Sequence, residues 1–193
     1  TSNAHDISEL QSLVESNRVD GMLLTRALED DRALQYLSQA NFPTALTGTC
    51  RYDNIIQVDT DNEGAAEKMT TLLIGKGFRR FAFLVKDMSY NVDRKRHEGF
   101  CRALIKNGIS EKDQLFYNGS IRMEFLDAII ENIISKKVEC IICGDDEICT
   151  MVMSRLQAEG YRIPKDVAIA SLYNSTNLDC YSPAVTAVSV AAS

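Results

Sequence analysis

Carboxylates are the most frequent candidates for chemistry in this sequence. Asp59 and Asp61 stand two residues apart after one apolar run, and Asp145 and Asp146 adjoin each other after another. Such pairs can hold a divalent metal or do acid/base work, whereas an aspartate at a strand-to-helix junction caps the helix by accepting its first N–H groups. Both uses stay open for these four residues. The cysteines are Cys50, Cys101, Cys140, Cys143, Cys149 and Cys180, and Cys140-Ile-Ile-Cys143 has the spacing of a redox pair. In an extended apolar run, however, residues three apart point to opposite faces. No second Cys/His pair completes a tetrahedral site, so the thiols read as buried and free, in a reducing compartment, and no metal or other cofactor is expected. His5 and His97 belong to no ligand or catalytic motif and read as surface residues. The densest basic run, Arg94-Lys95-Arg96-His97, meets Glu98 at once and reads as a solvated helix start.

The signatures that would name an enzyme are missing. There is no glycine-rich loop ending in Gly-Lys-Ser/Thr, no GxGxxG after a strand, no nucleophile elbow and no HExxH. With 193 residues, 45% hydrophobic and 25% charged, the chain has the composition of an ordinary globular protein. No apolar run is long enough for a membrane-spanning helix. Without the basic and apolar stretches of a secretory signal, the expected location is the cytoplasm. A net charge of -6 argues against this chain gripping nucleic acid by itself.

The elements that must position these residues follow from periodicity. Helical spacing of Ile7, Leu10, Leu13 and Val14 leads to an apolar strand at residues 19–24. Asp30 is placed to cap a helix carrying Ala33, Leu34, Leu37 and Ala40, which stops before Pro43. Strands follow at 44–47 and 55–58, then a helix over 62–74 capped by Asp61, a break at Gly75-Lys76-Gly77, and a strand at 81–85. A helix over 94–106 ends at Asn107-Gly108, a left-handed stop signal. The remainder reads as strand 115–117, helix 123–135, strand 140–143, helix 147–159 and strands 167–172 and 185–190. Short apolar strands alternating with helices mean α/β architecture with parallel sheets covered by helices. Ligands of such sheets bind beyond the carboxyl ends of the strands.

The order of segments carries a resemblance. Val19-Asp20-Gly21-Met22-Leu23-Leu24 is similar to the "VDGiil" strand of the lactose-repressor (LacI/GalR) family of transcription regulators, and Val58-Asp59-Thr60-Asp61-Asn62 to its "V-x-x-DN" junction. Gly77-Phe78-Arg79-Arg80-Phe81-Ala82-Phe83-Leu84 resembles "GHRRIAFI", and Arg96-His97-Glu98-Gly99-Phe100 with Ala103-Leu104 resembles "RxxGFxxAL". Asp145-Asp146 stands at the family's "ND", Gly160 to Val167 resembles "GxxIPxDV", and Ser182-Pro183 to Thr186 resembles "PPLTT". Each motif is weak alone; together, in order, they span nearly the whole chain.

The resemblance implies a two-lobed periplasmic-binding-protein-like fold with an incomplete N-terminal lobe. Residues 1–75 would form that lobe, 76–184 the C-terminal lobe, and 185–193 a crossover strand returning to the first. It implies a small-molecule effector, a carbohydrate or derivative, bound between the lobes. Operator DNA would be contacted only through a helix-turn-helix domain absent from this sequence, by a homodimer without membrane contact. By matching position, Arg96 would donate a bidentate pair of hydrogen bonds to the ligand. Asp61 on one lobe and Asp145 would accept from ligand hydroxyls, while also capping helices. Ser120 and Ile121 fall where relatives place a cleft residue, Ile121 as a wall. The sequence departs from the family at Ser171-Leu172-Tyr173-Asn174, where "GFDD" is common: Tyr173 replaces a carboxylate acceptor with a ring and a hydroxyl, which puts an ordinary hexose site in doubt. Two other readings remain, a solute-binding protein of a sugar transporter and a metal-dependent α/β enzyme built on Asp59, Asp61, Asp145 and Asp146.

Overall fold

Apolar runs bounded by caps and turns become strands and helices in nearly the expected order. The computed structural model describes residues 6–119, 121, 123–182 and 184–190. The elements are α1 (Ser8–Glu15), β1 (Met22–Leu24), α2 (Arg32–Gln39), β2 (Thr44–Thr47), β3 (Ile56–Val58), α3 (Asn62–Gly75), β4 (Phe81–Leu84), α4 (Asn91–Lys106), β5 (Leu115–Tyr117), α5 (Met123–Ser135), β6 (Cys140–Cys143), α6 (Asp146–Ala158), β7 (Ala168–Ser171), the short α7 (Thr176–Asp179) and β8 (Thr186–Ala187). A 3-10 turn at Glu111–Asp113 precedes β5. Asp31 rather than Asp30 caps α2, because its carboxylate accepts the Ala33 and Leu34 N–H groups at 3.0 and 3.1 Å. No helix among the described residues is long and apolar enough to cross a membrane.

The chain divides into two compact units, residues 1–60 with 89–92, and residues 61–88 with 93–193. The first holds a parallel three-stranded sheet in the order β1-β2-β3, with a small core of Ala27, Leu34, Leu46 and Ile55. Ser89–Val92 joins it through Glu29 N–H to the Ser89 carbonyl, Asn91 N–H to the Ala27 carbonyl, and the Asn91 amide to the Thr49 carbonyl at 2.7 Å.

The second unit holds a parallel five-stranded sheet in the order β5-β4-β6-β7-β8. Alternate residues of its strands feed two separate cores, as side chains on opposite faces must. Leu84, Ile141 and Cys143 pack with Ile130 of α5 and Val152 of α6. Phe81, Phe83, Cys140 and Ile142 pack with Leu73 of α3 and Phe100 of α4. Cys140 and Cys143 therefore sit in different cores, which removes the redox-pair reading.

The two compact units divide between Thr60 and Asp61, because Ala66, Met69, Leu73 and Ile74 of α3 are part of the second unit's core. Close approach of α3 and α4 requires Gly99, where any Cβ would run into the Glu63 carbonyl oxygen; Arg102 pairs with Glu63 and Glu67 alongside. Past Val185, β8 pairs with β7, and Val188 exchanges backbone hydrogen bonds with Ser171 and Asn174.

Candidate functional site

The carboxyl ends of β4, β5 and β6 are stitched by backbone hydrogen bonds. Gly144 N–H donates to the Leu84 carbonyl at 2.7 Å, Val85 N–H to Tyr117, and Gly119 N–H to Lys86. Gly144 fits because a Cβ there would press on the Leu84 oxygen and the Val85 side chain, both 3.1 Å away. Onto this rim α4 projects Arg96, whose Nη1 donates to the Gly144 carbonyl oxygen at 2.7 Å. One turn earlier on α4, the buried Asp93 carboxylate accepts the Asp87 N–H at 3.0 Å. Asp145 follows β6 and caps α6 by accepting the Ile148 N–H at 2.9 Å; its other oxygen lies 2.8 Å from Lys86 Nζ, which also pairs with Glu147.

These charges tune one another. Burial raises the Asp93 pKa above its ordinary value, and the opposing pull of the Asp87 N–H and the Arg96 charge does not offset it. Burial draws the Lys86 ammonium down, but its hydrogen bonds to Asp145 and Glu147 outweigh that and leave its pKa raised. The result is a rim of two cations and three carboxylates, Asp93, Asp145 and Glu147, each tied by a hydrogen bond or ion pair. That arrangement suits recognition of a small polar molecule.

The expected site residues are distributed unevenly over this rim. Arg96 donates to the carbonyl of Gly144, the residue that precedes Asp145. Tyr173 stands 44% exposed just past β7, the neighbouring strand, where Leu172 N–H bonds the Cys143 carbonyl. Ile121 packs against the core that contains Leu84 and Ile141. Asp61 is exposed and caps α3 through the Gly64 N–H at 2.8 Å. It belongs to the same compact unit as Arg96. Ser120 and His5 lie outside the described residues.

The sequence reading missed Lys86 and Asp93. Asp93 precedes Arg96 by three residues and so shares its helix face, a signal available in the sequence; Lys86 depends on the pairing of β4 with β6 and carried none. His97 is also corrected: it is half-buried, its ring 4.3 Å from Phe116 and 6.0 Å from Phe83. Burial lowers its pKa below 6.5 against the opposing charges of Glu111 and Glu98.

Comparison with known proteins agrees with this architecture. Residues 70–193 match the periplasmic binding protein-like domain family, and the chain belongs to that family. Within it, the similarities are to LacI-type regulators. Catabolite control protein A of Staphylococcus xylosus is 25% identical over 174 residues, covering 90% of this chain and 53% of the relative. A crystal structure of a transcriptional regulator LacI from Bacillus cereus subsp. cytotoxis superposes with a TM-score of 0.85 at 31% identity, over 94% of this chain and 66% of that one. The transcriptional regulator CelR in complex with cellobiose superposes with a TM-score of 0.82 at 26% identity, over 94% and 57%. The chain thus spans about half the length of the curated relative it matches.

Proposed function

We propose that this chain is the effector-sensing part of a transcription regulator. It holds a small polar effector, a carbohydrate or derivative, at the carboxyl ends of β4, β6 and β7. Binding there shifts the equilibrium between two conformations of a homodimer whose helix-turn-helix segments contact operator DNA. A ligand shifts such an equilibrium only by its differential affinity for the two states, ordinarily ~1 to 3 kcal/mol. The observation that carries the reading is the Arg96 guanidinium fixed on the Gly144 carbonyl beside Asp145. Asp145 and Asp61 supply hydroxyl acceptors, Tyr173 a ring face for stacking, and Ile121 with Ser120 the flank. The cellobiose bound by CelR supports the carbohydrate class. Asp61 and Asp145 already serve as caps, and Asp145 also pairs with Lys86, which favours a binding role over metal-dependent catalysis.

A thermal-shift screen of mono- and disaccharides, sugar phosphates, polyols and nucleosides tests this. At least one compound is expected to stabilise the wild type, and Arg96→Ala and Arg96→Lys, each folded by circular dichroism, are expected to lose the shift. A ligand whose affinity is unchanged in both variants would overturn the placement of the site.

A further inference from the structure

Away from that rim, three further side chains come together. His97 and Cys101 lie one helical turn apart on α4, and Glu111 opens the 3-10 turn before β5. One ligand atom from each lies within 4.8 Å of the others. The Cys101 Sγ to His97 Nε2 distance is 3.5 Å. Tetrahedral zinc, with Zn–S near ~2.3 Å and Zn–N near ~2.05 Å, places its sulfur and nitrogen ligands roughly 3.5 Å apart. Two of the three ligands therefore already stand at coordination separation. Glu111 is exposed, and one of its carboxylate oxygens lies within 4.8 Å of the other two ligand atoms.

We infer that His97, Cys101 and Glu111 form a zinc site with a fourth position open to water. A thiolate with an imidazole and one carboxylate suits zinc and poorly suits magnesium or calcium, which take all-oxygen shells. The imidazole is held rather than loose: Phe116 and Phe83 lie against its ring, fixing the orientation that a metal-binding histidine needs. His97-x-x-x-Cys101 presents both ligands on one helix face, and Glu111 comes from the other side of the Asn107-Gly108 turn. Bound zinc would cross-link the end of α4 to the segment entering β5. His97 directly follows Arg96, so the ion sits on the helix that carries Arg96 and Asp93. The inference does not depend on the effector reading.

The test uses the full chain, stripped of metal by chelation, in a zinc titration against a chromophoric competitor, with cobalt(II) as a spectroscopic reporter. One zinc is expected to bind, and cobalt is expected to show tetrahedral d–d bands with a thiolate charge-transfer band. Cys101→Ser is expected to remove that band and lower affinity at least about 100-fold, since loss of an outer-shell partner alone costs up to about that much. The exposed Glu111→Gln is expected to weaken binding about 10-fold without disturbing the fold, which covers the possibility that a change at Cys101 disturbs packing. Absence of zinc binding by the wild type, or affinity unchanged in both variants, would overturn the site, as would a cobalt spectrum without the thiolate band. Retention of the band in Cys101→Ser would assign the metal to Cys50 or Cys180 and overturn it equally.

Discussion

In the second unit, β4, β6 and β7 are buried at every position, whereas in the first unit Leu23 of β1 and Ile56 and Val58 of β3 stand 68, 68 and 66% exposed. Both sheets are parallel and both come from the same alternation of short apolar strands and helices. The difference lies in what the faces meet. The five-stranded sheet feeds one core with α5 and α6 and another with α3 and α4, while the three-stranded sheet feeds one small core. Rigidity follows from burial of that kind, and the polar rim of Arg96, Asp93, Asp145 and Lys86 is built on the deeper sheet.

The comparison is broken most forcefully at Phe100. Its ring is fully buried and stacks 4.8 Å from Phe83, so Phe100→Ala is expected to cost about 3 to 5 kcal/mol. Leu46→Ala in the small core of the first unit is expected to fall toward the lower end of the usual range, about 2 to 3 kcal/mol, because a thinner core can relax around the cavity. Urea unfolding of both variants checks the order; an equal or larger loss at Leu46 would contradict the contrast. Next comes Gly99→Ala. A single methyl has to push α3 away from α4 at the Glu63 carbonyl, and the expected cost is about 2 to 3 kcal/mol, measured in the same way.

A pH titration sharpens the contrast on α4 itself. Because burial lowers the His97 pKa below 6.5, the unfolded chain takes up that proton first as pH falls. The stability due to neutral His97 is complete above about 6.5 and is lost as pH falls from there toward the folded value. Asp93 has the opposite sign: its pKa, raised from 3.8, contributes stability at low pH that is lost as pH rises through the folded value. In chelator-treated buffer, thermal midpoints of wild type should fall between about pH 7 and 5.5 more steeply than those of His97→Gln. Parallel slopes would place the burial effect elsewhere.

These contrasts also explain what was legible beforehand. Alternation and capping chemistry are local, so strands, helices and the caps Asp61 and Asp145 could be read directly, with a one-residue error at Asp31. The opposite facing of Cys140 and Cys143 follows from the strand period alone. Arg96 was accessible through its motif. Lys86 depends on β4 and β6, distant in sequence, lying side by side, and the packing of α3 on the second sheet depends on Gly99 meeting Glu63; neither has a local signature. The His97 to Cys101 spacing was visible, but Glu111 joins them only after the chain has turned.

The smallest expected effect tests the comparison from its exposed side. Ile56 projects from β3 at 68% exposure, and threonine keeps the β-branched shape that a strand favours. Ile56→Thr should therefore change stability by no more than about 0.5 kcal/mol, at both low and high protein concentration. A loss approaching that of Phe100→Ala, growing with concentration, would mean that this face is buried by self-association in solution. Exposed apolar strand residues are the surface through which sheets pair or stack. Under that outcome the first unit would owe its order to a partner copy, and the contrast between the units would be one of assembly rather than of intrinsic core.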